Sequence, residues 1–541
     1  MDITPASGSK RGGWKAFAFI IVAVAGMSLG STGSLENLIV FFIGELNMKR
    51  ITAAQITNVL NGCTCLFPVF GAIIADSFLG SFIVASISFC VALLGTVVLT
   101  LMATLNSLRP QPCDDGSKLC KPPSEIQDAV LYVGLTLITV GFGGVRFTIA
   151  TFGASQFDKA EEKGSFFDWF FFTLYIASIV SMTAIFYIEG EVSWGVGFGL
   201  CALATLIAMV TLLSGYPFYR SDKPQGSPFL DLARVPVASV RKWKSQLSSR
   251  VEEYYGGHDG LVPVFVATPG KRLRFFNRAA LINEGDIQSN GAIAKPWRLC
   301  TVKQVEDFKS LIGIMPLWST SIFLSTSIGI EGSLIVLQAL TMDRHLGSHF
   351  QIPPGSIPVI LLVSTAISLP LIDRVLFPAW QKLIGKPLTP LHRIGIGHVF
   401  SVLSCAVSAL IELKRLNIAH RQQLQEQTNL EVAMSALWLC PQLFLAGIGI
   451  AFHFPGQVAF YYQEFPESLK STSTAMISLI QGIGYYMSTA VIDLVQRITP
   501  WLPDDINHGR LDNMYWALFV LGVLNFAYYL VCSALYNYVA V

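Results

Sequence analysis

Charge is what this chain has least of. Asp, Glu, Lys and Arg make up 13% of its 541 residues, against about 25% in a typical soluble protein. A soluble body of this size could not cover its surface with so few. The 37 basic and 35 acidic residues leave a net charge of +2, and no basic run stands out, so nucleic acid is not expected as a partner. Enzyme signatures are also missing. There is no Walker loop, which argues against ATP-driven pumping, and no His-Glu-x-x-His. Gly26-Met27-Ser28-Leu29-Gly30 fits the G-x-S-x-G spacing, but it lies inside an apolar run rather than at a strand-to-helix elbow. Close packing of small residues against a neighbouring helix explains it better. No enzyme, cofactor or metal is expected.

The ten cysteines call for no redox framework. Cys63, Cys65, Cys90, Cys201, Cys405, Cys440 and Cys532 lie in apolar stretches and read as small core residues. Cys113 and Cys120 differ, because they share a polar loop with Pro110, Pro112, Pro122 and Pro123. A disulfide there and two free thiols are both open.

Apolar residues are abundant, at 52% of the chain, and mean hydropathy is +0.55. This predicts a polytopic all-α membrane protein embedded in the lipid bilayer. A membrane helix needs roughly 20 mostly apolar residues. Twelve candidates run near 16–43, 52–75, 81–106, 128–152, 165–188, 193–215, 309–341, 354–379, 391–413, 432–462, 469–496 and 511–538. The first is too long for a cleaved signal peptide and reads as a targeting helix. The 216–308 interruption carries 14 Lys+Arg against 9 Asp+Glu, with Trp243 and Tyr254 in a basic, amphipathic-looking stretch suited to a membrane surface. Lys10, Arg11, Lys15, Lys382, Lys386 and Arg393 agree with placing this loop and both termini in the cytosol.

The expected organisation is a tail at 1–15, a six-helix half at 16–215, a cytosolic linker at 216–308 and a second half at 309–541. A repeat signal supports two halves. Gly71–Gly80 ends span 2 with Asp76 in a tight turn, and Asp373-Arg374 ends span 8, its counterpart.

An ionisable residue within a span is a functional hypothesis by default. Glu36, Asp76, Asp168, Asp373, Arg374 and Asp493 stand near helix ends and read as caps or loop anchors. Arg146 and Glu331 lie deeper. Arg146 follows Gly141-Phe142-Gly143-Gly144-Val145, where the glycines allow close approach, and its rigid fork suits oxyanions. A structural ion pair is the alternative. Glu331 must pair or protonate, as a gate, a proton site or a satisfied structural acid. At 1.5 Å per residue each sits roughly 9 Å from the midplane, on opposite sides, so the two are not expected to bridge. His453, among Phe452, Phe454 and Pro455, is a site candidate or a packed core histidine, and Gln457 shares its face one turn on. Phe171, Tyr175, Phe452, Tyr461 and Tyr462 either line a broad aromatic cavity or pack helices.

The chain resembles the plant nitrate and peptide transporter family, within the proton-coupled oligopeptide transporters of the major facilitator superfamily. The resemblance runs from about Gly13 to Tyr538. It rests on Gly71–Gly80, Phe152-Gly153-Ala154-Ser155-Gln156-Phe157-Asp158, Gly164–Phe172, Phe275-Asn277-Arg278-Ala279-Ala280 and Pro296-Trp297-Arg298-Leu299-Cys300. Asn37-Leu38-Ile39-Val40, Phe452-His453-Phe454-Pro455-Gly456 and Trp501–Arg510 look most like the nitrate excretion subgroup.

The resemblance implies a twelve-helix bundle with a central cavity and alternating access. Its substrate would be a small anion, nitrate first and chloride second. The family's first-helix E-x-x-E-R/K motif falls on Val24, Met27 and Ser28, its tenth-helix glutamate on Ile450 and a nitrate-binding seventh-helix histidine on Ile328. The basic residue of the fourth helix is retained as Arg146. Ser28, Ile328 and Ile450 are therefore cavity candidates without the coupling chemistry. Weakened proton coupling implies a low-affinity or efflux route, since anion exit from a cell with a negative interior gains about 2.3 kcal/mol per charge per 100 mV. The subgroup favours plasma membrane over tonoplast. Transport of an organic metabolite such as a glucoside or alkaloid, and a transport-inactive sensor or assembly subunit, are the other readings.

Overall fold

The computed structural model describes residues 12–110, 123–220, 228–248, 250–259, 262–263, 269–270, 272–288, 292–386, 388–422, 431–464 and 473–536. Cys113 and Cys120 lie outside the described residues. Twelve long or membrane-level helices follow one another: α1 (Trp14–Leu35), α2 (Arg50–Ile74), α3 (Ser81–Thr104), α4 (Glu125–Ser155), α5 (Ala160–Val180), α6 (Trp194–Ser214), α7 (Val302–Ala339), α8 (Val359–Leu371), α9 (Pro390–Arg421), α10 (Cys440–Glu464), α11 (Ser473–Ile498) and α12 (Leu511–Leu535). Their starts follow local chemistry. Capping boxes open α4 (Ser124 with Gln127) and α7 (Thr301 with Gln304), while Thr389 caps α9 just before Pro390. Pro68, Pro316, Pro370 and Pro455 sit inside helices, where neighbouring helices re-satisfy the backbone.

Eleven of these spans, with the turns that extend them, are apolar enough to cross a membrane. The exception is α11, whose Gln481, Gly482, Gly484, Tyr485 and Tyr486 lower its hydropathy. It packs between α2 and α7, where lipid contact does not demand apolar residues.

The two halves repeat one packing plan. The pairs α1–α5, α1–α6, α2–α4, α3–α4 and α3–α6 recur six helices later as α7–α11, α7–α12, α8–α10, α9–α10 and α9–α12. Small residues make the tight seams. Gly141 lies against Ala92, Gly144 against Ser88, and Gly397 against Gly449 and His453. Gly26 and Gly30 press on Ala204, Ala208 and Thr205 of α6, so the G-x-S-x-G stretch is a packing stripe. The suspected repeat also has a structural counterpart. α2 runs into a π-helical turn at Ala75–Leu79 and α8 into another at Ile372–Leu376. In the second, Asp373 pairs with Arg393 at 3.3 Å.

Several sequence expectations need correction. The apolar stretch near 432–462 is not all helix: Val432–Ser435 pairs as a parallel strand with Met342–Asp343, and α10 begins at Cys440. The 391–413 span extends to Arg421. Cys90 is exposed rather than core, and Cys63 lies 2.8 Å from the Tyr486 hydroxyl. In the linker the helix is Pro228–Arg241, so Trp243 lies just beyond it and exposed. Tyr254 is buried with Val235, Ala238, Ala279 and the α7 residues Val302 and Val305.

The motifs carrying the resemblance hold connections together. Gln156 accepts the Gly13 and Arg220 amides at 2.8 Å each, and Asp158 pairs with Arg220 at 2.5 Å. Asn277 donates to the Gly270 carbonyl and Arg278 to that of Ser245.

Candidate functional site

Arg146 is the deepest cation of the first half and is exposed. Those two facts require a water-filled space at membrane depth. Its electrostatic neighbours define that space: Glu36 at the end of α1, Cys65 on α2, Tyr175 on α5 and Tyr485 on α11. α11 belongs to the second half, so Arg146 lines the cavity between halves. Among the described residues, no carboxylate lies within the 4.0 Å of its guanidinium that would make an ion pair.

The α4 backbone explains this reach. Gly143 and Gly144 bring α4 against Thr64, Phe67 and Gly71 of α2, which sets Arg146 at the cavity wall. Side chains on a helix lean toward its N-terminus, so the guanidinium tilts toward the end of α4 that holds Ser124, and toward Glu36.

Glu36 is what sequence reasoning missed. Read as an anchor at a helix end, it is instead an exposed acid facing the cavity, hydrogen-bonded to Asn61 of α2. α1 does not stop there: a second helix, Leu38–Gly44, carries the chain onward. The signal was present in the continuing apolar run, which placed Glu36 well short of the span's end. The expectation that α1 offers Arg146 no acid is therefore overturned. The motif positions themselves hold none, and Val24, Met27 and Ser28 are packed away.

Glu331 is 5% exposed and turned into the second half. Ser408 Oγ donates to it at 3.1 Å, and Ser404 Oγ lies 3.3 and 3.4 Å from its two oxygens. Ser404 has one proton and also reaches the Gln442 carbonyl at 2.9 Å. Two hydroxyls and the Cys405 thiol thus hold this acid, with no cation partner among the described residues. Gly144 lies beside Gly71, and Ser333 bonds Asn58. Counting along α2 between those levels separates Arg146 from Glu331 by roughly 15–20 Å. The two do not bridge.

His453 is fully buried between α9 and α10, edge-on to His398 at 5.0 Å and beside Phe454. Gln457 donates to Ser321 Oγ at 2.5 Å and reaches the Tyr461 hydroxyl at 3.4 Å, tying α10 to α7. Neither is among Arg146's neighbours. Ile328 and Ile450 are half-buried. Of the five aromatic candidates, Phe452 stacks on Phe400 and Tyr461 is buried with Phe460. Tyr175 is a neighbour of Arg146, Phe171 is exposed, and the Tyr462 side chain lies outside the described residues.

A second feature escaped the sequence. Glu412 and Arg415, which sequence reasoning did not single out, are both fully buried on α9. Arg415 Nε and Nη2 donate to the two Glu412 oxygens at 2.8 and 2.6 Å, and Nη1 donates to Asn507 at 2.5 Å and Thr341 at 3.1 Å. Gln338 completes the shell, donating to Glu412 at 2.6 Å and accepting from Tyr515 at 2.9 Å. Asn507 belongs to Trp501–Arg510, so that segment caps a buried arginine.

The sequence profile described as PTR2: POT family matches residues 82–506. Among curated proteins the chain is 51% identical to Protein NRT1/ PTR FAMILY 2.7 of Arabidopsis thaliana over 99% of this chain and 95% of that one. It is likewise 51% identical to Protein NRT1/ PTR FAMILY 2.6 of Arabidopsis thaliana, over 98% and 94%. Among solved structures, the POT family transporter PepTSo shares the fold with a TM-score of 0.70 at 17% identity, covering 96% of this chain and 98% of that one. A peptide transporter POT in complex with sulfate gives 0.65 at 12%, covering 98% and 96%. Coverage from end to end and close identity to plant relatives establish that this chain belongs to the POT family, in its NRT1/PTR branch, and is a multi-pass membrane transporter of the twelve-helix, two-half kind.

Proposed function

We propose that this transporter carries a small anion, nitrate first and chloride second, by alternating access, as a low-affinity or efflux route with weakened proton coupling. The observation that supports this most is Arg146, a cation exposed in the cavity between halves with no direct ion pair. An arginine so placed offers charge-assisted, forked hydrogen bonds to an oxyanion. Glu36 across the cavity competes with the substrate for that charge, which suits low affinity. Weak coupling rests on Val24, Met27 and Ser28, which are packed in the helix core and carry no titratable carboxyl. Glu331, held by hydroxyls away from Arg146, is a gating or proton site distinct from the anion site, while His453 and Gln457 brace the second half. Packing of Phe452 and Tyr461 speaks against a broad aromatic cavity for organic metabolites. The termini and the 216–308 linker are assigned to the cytosol and the protein to the plasma membrane.

The test is flux from a substrate panel in oocytes or proteoliposomes, with voltage and pH clamped. Nitrate and chloride flux is expected, with weak dependence on the pH gradient. Arg146→Ala, delivered normally to the membrane, should lose most of it, on the order of tenfold or more for a hydrogen-bonded charge. Arg146→Lys should keep part. Normal nitrate flux in Arg146→Ala puts the anion site elsewhere. Organic-substrate flux alone favours the metabolite reading, and no flux favours a sensor.

A further inference from the structure

The halves close on each other at the face opposite both chain ends. There Ser356 Oγ, at the entry to α8, donates to the Met182 carbonyl beyond α5 at 2.5 Å, and Tyr187 stacks on Phe350 at 5.6 Å. Deeper in the same seam Asn58 of α2 donates to Ser333 of α7 at 3.2 Å. At the centre of this closure lies a carboxylate the transport cycle described so far does not use. Glu189, in the π-helical turn Ile188–Val192, is 1% exposed. Its Oε2 accepts from Asn37 Nδ2 at 2.7 Å, while its Oε1 has no partner. Asn37 is the residue after Glu36, where α1 breaks. The other half touches this same amide. Gly355 lies so close that a Cβ there would stand 2.1 Å from Asn37 Oδ1, which otherwise has no hydrogen-bond partner.

A carboxyl buried with a single neutral donor must give up either its charge or its solvation, and water on an opened face would supply the missing bonds and favour the ionised form. The closed arrangement therefore holds Glu189 in its costlier environment. The Asn37 bond and the Gly355 contact offset that cost, and opening relieves it. We propose that Glu189 is the positioning residue of the distal gate: with Asn37 it forms a latch that Gly355 of the opposite half must seat against, and its carboxyl, ionised once water reaches the opened face, biases the gate toward opening. Because Asn37 is bonded in sequence to Glu36, the latch also fixes the turn that presents Glu36 to Arg146. This last step rests on the function proposed above, whereas the latch itself does not.

The test reads gate opening without reference to the substrate. A Tyr175→Cys reporter in the cavity is labelled in intact cells by a membrane-impermeant maleimide applied outside, with the chain lacking that cysteine as the blank. Labelling is counted per surface-biotinylated molecule, so poor delivery does not mask it. Glu189→Ala removes the acceptor and Gly355→Ala unseats Asn37. Each should speed labelling, by about tenfold where a hydrogen bond to a charged group is lost. Glu189→Gln keeps an acceptor for Asn37 but cannot ionise when water reaches it, and it should slow labelling below the native rate and lower maximal flux with little change in KM. Opposite movement by the Ala and Gln variants is the signature, since a merely structural carboxylate would move both the same way. Labelling that is unchanged in Glu189→Ala and Gly355→Ala, or shifted alike in Glu189→Ala and Glu189→Gln, overturns the latch. Failure of nitrate flux with the labelling pattern intact would remove the anion reading and leave the gate.

Discussion

The two halves treat their membrane-depth charges in opposite ways. In the first, Arg146 and Glu36 face each other across open space, exposed and without direct contact. In the second, Glu412 and Arg415 sit three residues apart on one helix, fully buried and bonded on both carboxylate oxygens. Water or a ligand can come between the first pair. Nothing can enter between the second. Charge that is to exchange partners is left wet and loosely held, and charge that is to hold a fold together is dried and saturated.

The sharpest way to break this comparison is to remove one member of the dry pair. Arg415→Ala leaves Glu412 buried with Gln338 alone, an uncompensated charge worth about 3–5 kcal/mol. We expect loss of surface delivery and of thermal stability in detergent. Glu412→Leu with Arg415→Met should restore much of both, because a satisfied apolar pair avoids the desolvation penalty. If Arg415→Ala melts like the native protein, the network is not what holds this end of the second half.

Smaller effects are expected at the wet pair. Glu36→Gln removes the tethered competitor for Arg146 and should lower KM for nitrate by about threefold to tenfold, the scale of one charge a few ångströms away in water. Fold and delivery should be unaffected. A raised KM would mean that Glu36 helps to bind the substrate rather than compete with it. Glu331→Gln retains acceptors for Ser404 and Ser408, so transport rate or pH response should change while the nitrate-to-chloride ratio does not. An altered ratio would place Glu331 within the anion site.

The smallest effect is expected where charge is neither dry nor in the cavity. Asp158 is exposed at the end of α4, and its hydrogen bond from Arg220 holds its carboxyl below the ordinary value. A lowered value means the pair contributes above the ordinary carboxylate range and fades as pH falls through the lowered one. Asp158→Asn should therefore lower Tm slightly near neutral pH. That difference should fade as pH falls through the lowered value, where the native protein loses the charge the variant never had. A difference persisting in acid would assign the effect to packing.

Much of this molecule was legible from residue order. Scarce charge, twelve apolar runs and the basic linker require a membrane-spanning bundle, because apolar length and the cost of exposed backbone in lipid leave few alternatives. That Arg146 and Glu331 form no ion pair followed from helix rise and the span boundaries. What tertiary structure decided was facing and company. Glu36 reads as a helix end until α1 is seen to resume at Leu38 and to turn the acid toward Arg146. Glu412 and Arg415 carry no sequence signal of the network that Asn507, 92 residues beyond Arg415, closes over them. Glu189 has no sequence signal joining it to Asn37, 152 residues earlier, or to a glycine in the other half. Periodicity and hydropathy report what a helix is made of, because burial in lipid acts on each segment separately. Which face meets which neighbour depends on how twelve such segments pack together, and that is where a charge acquires its partner, its water and its role.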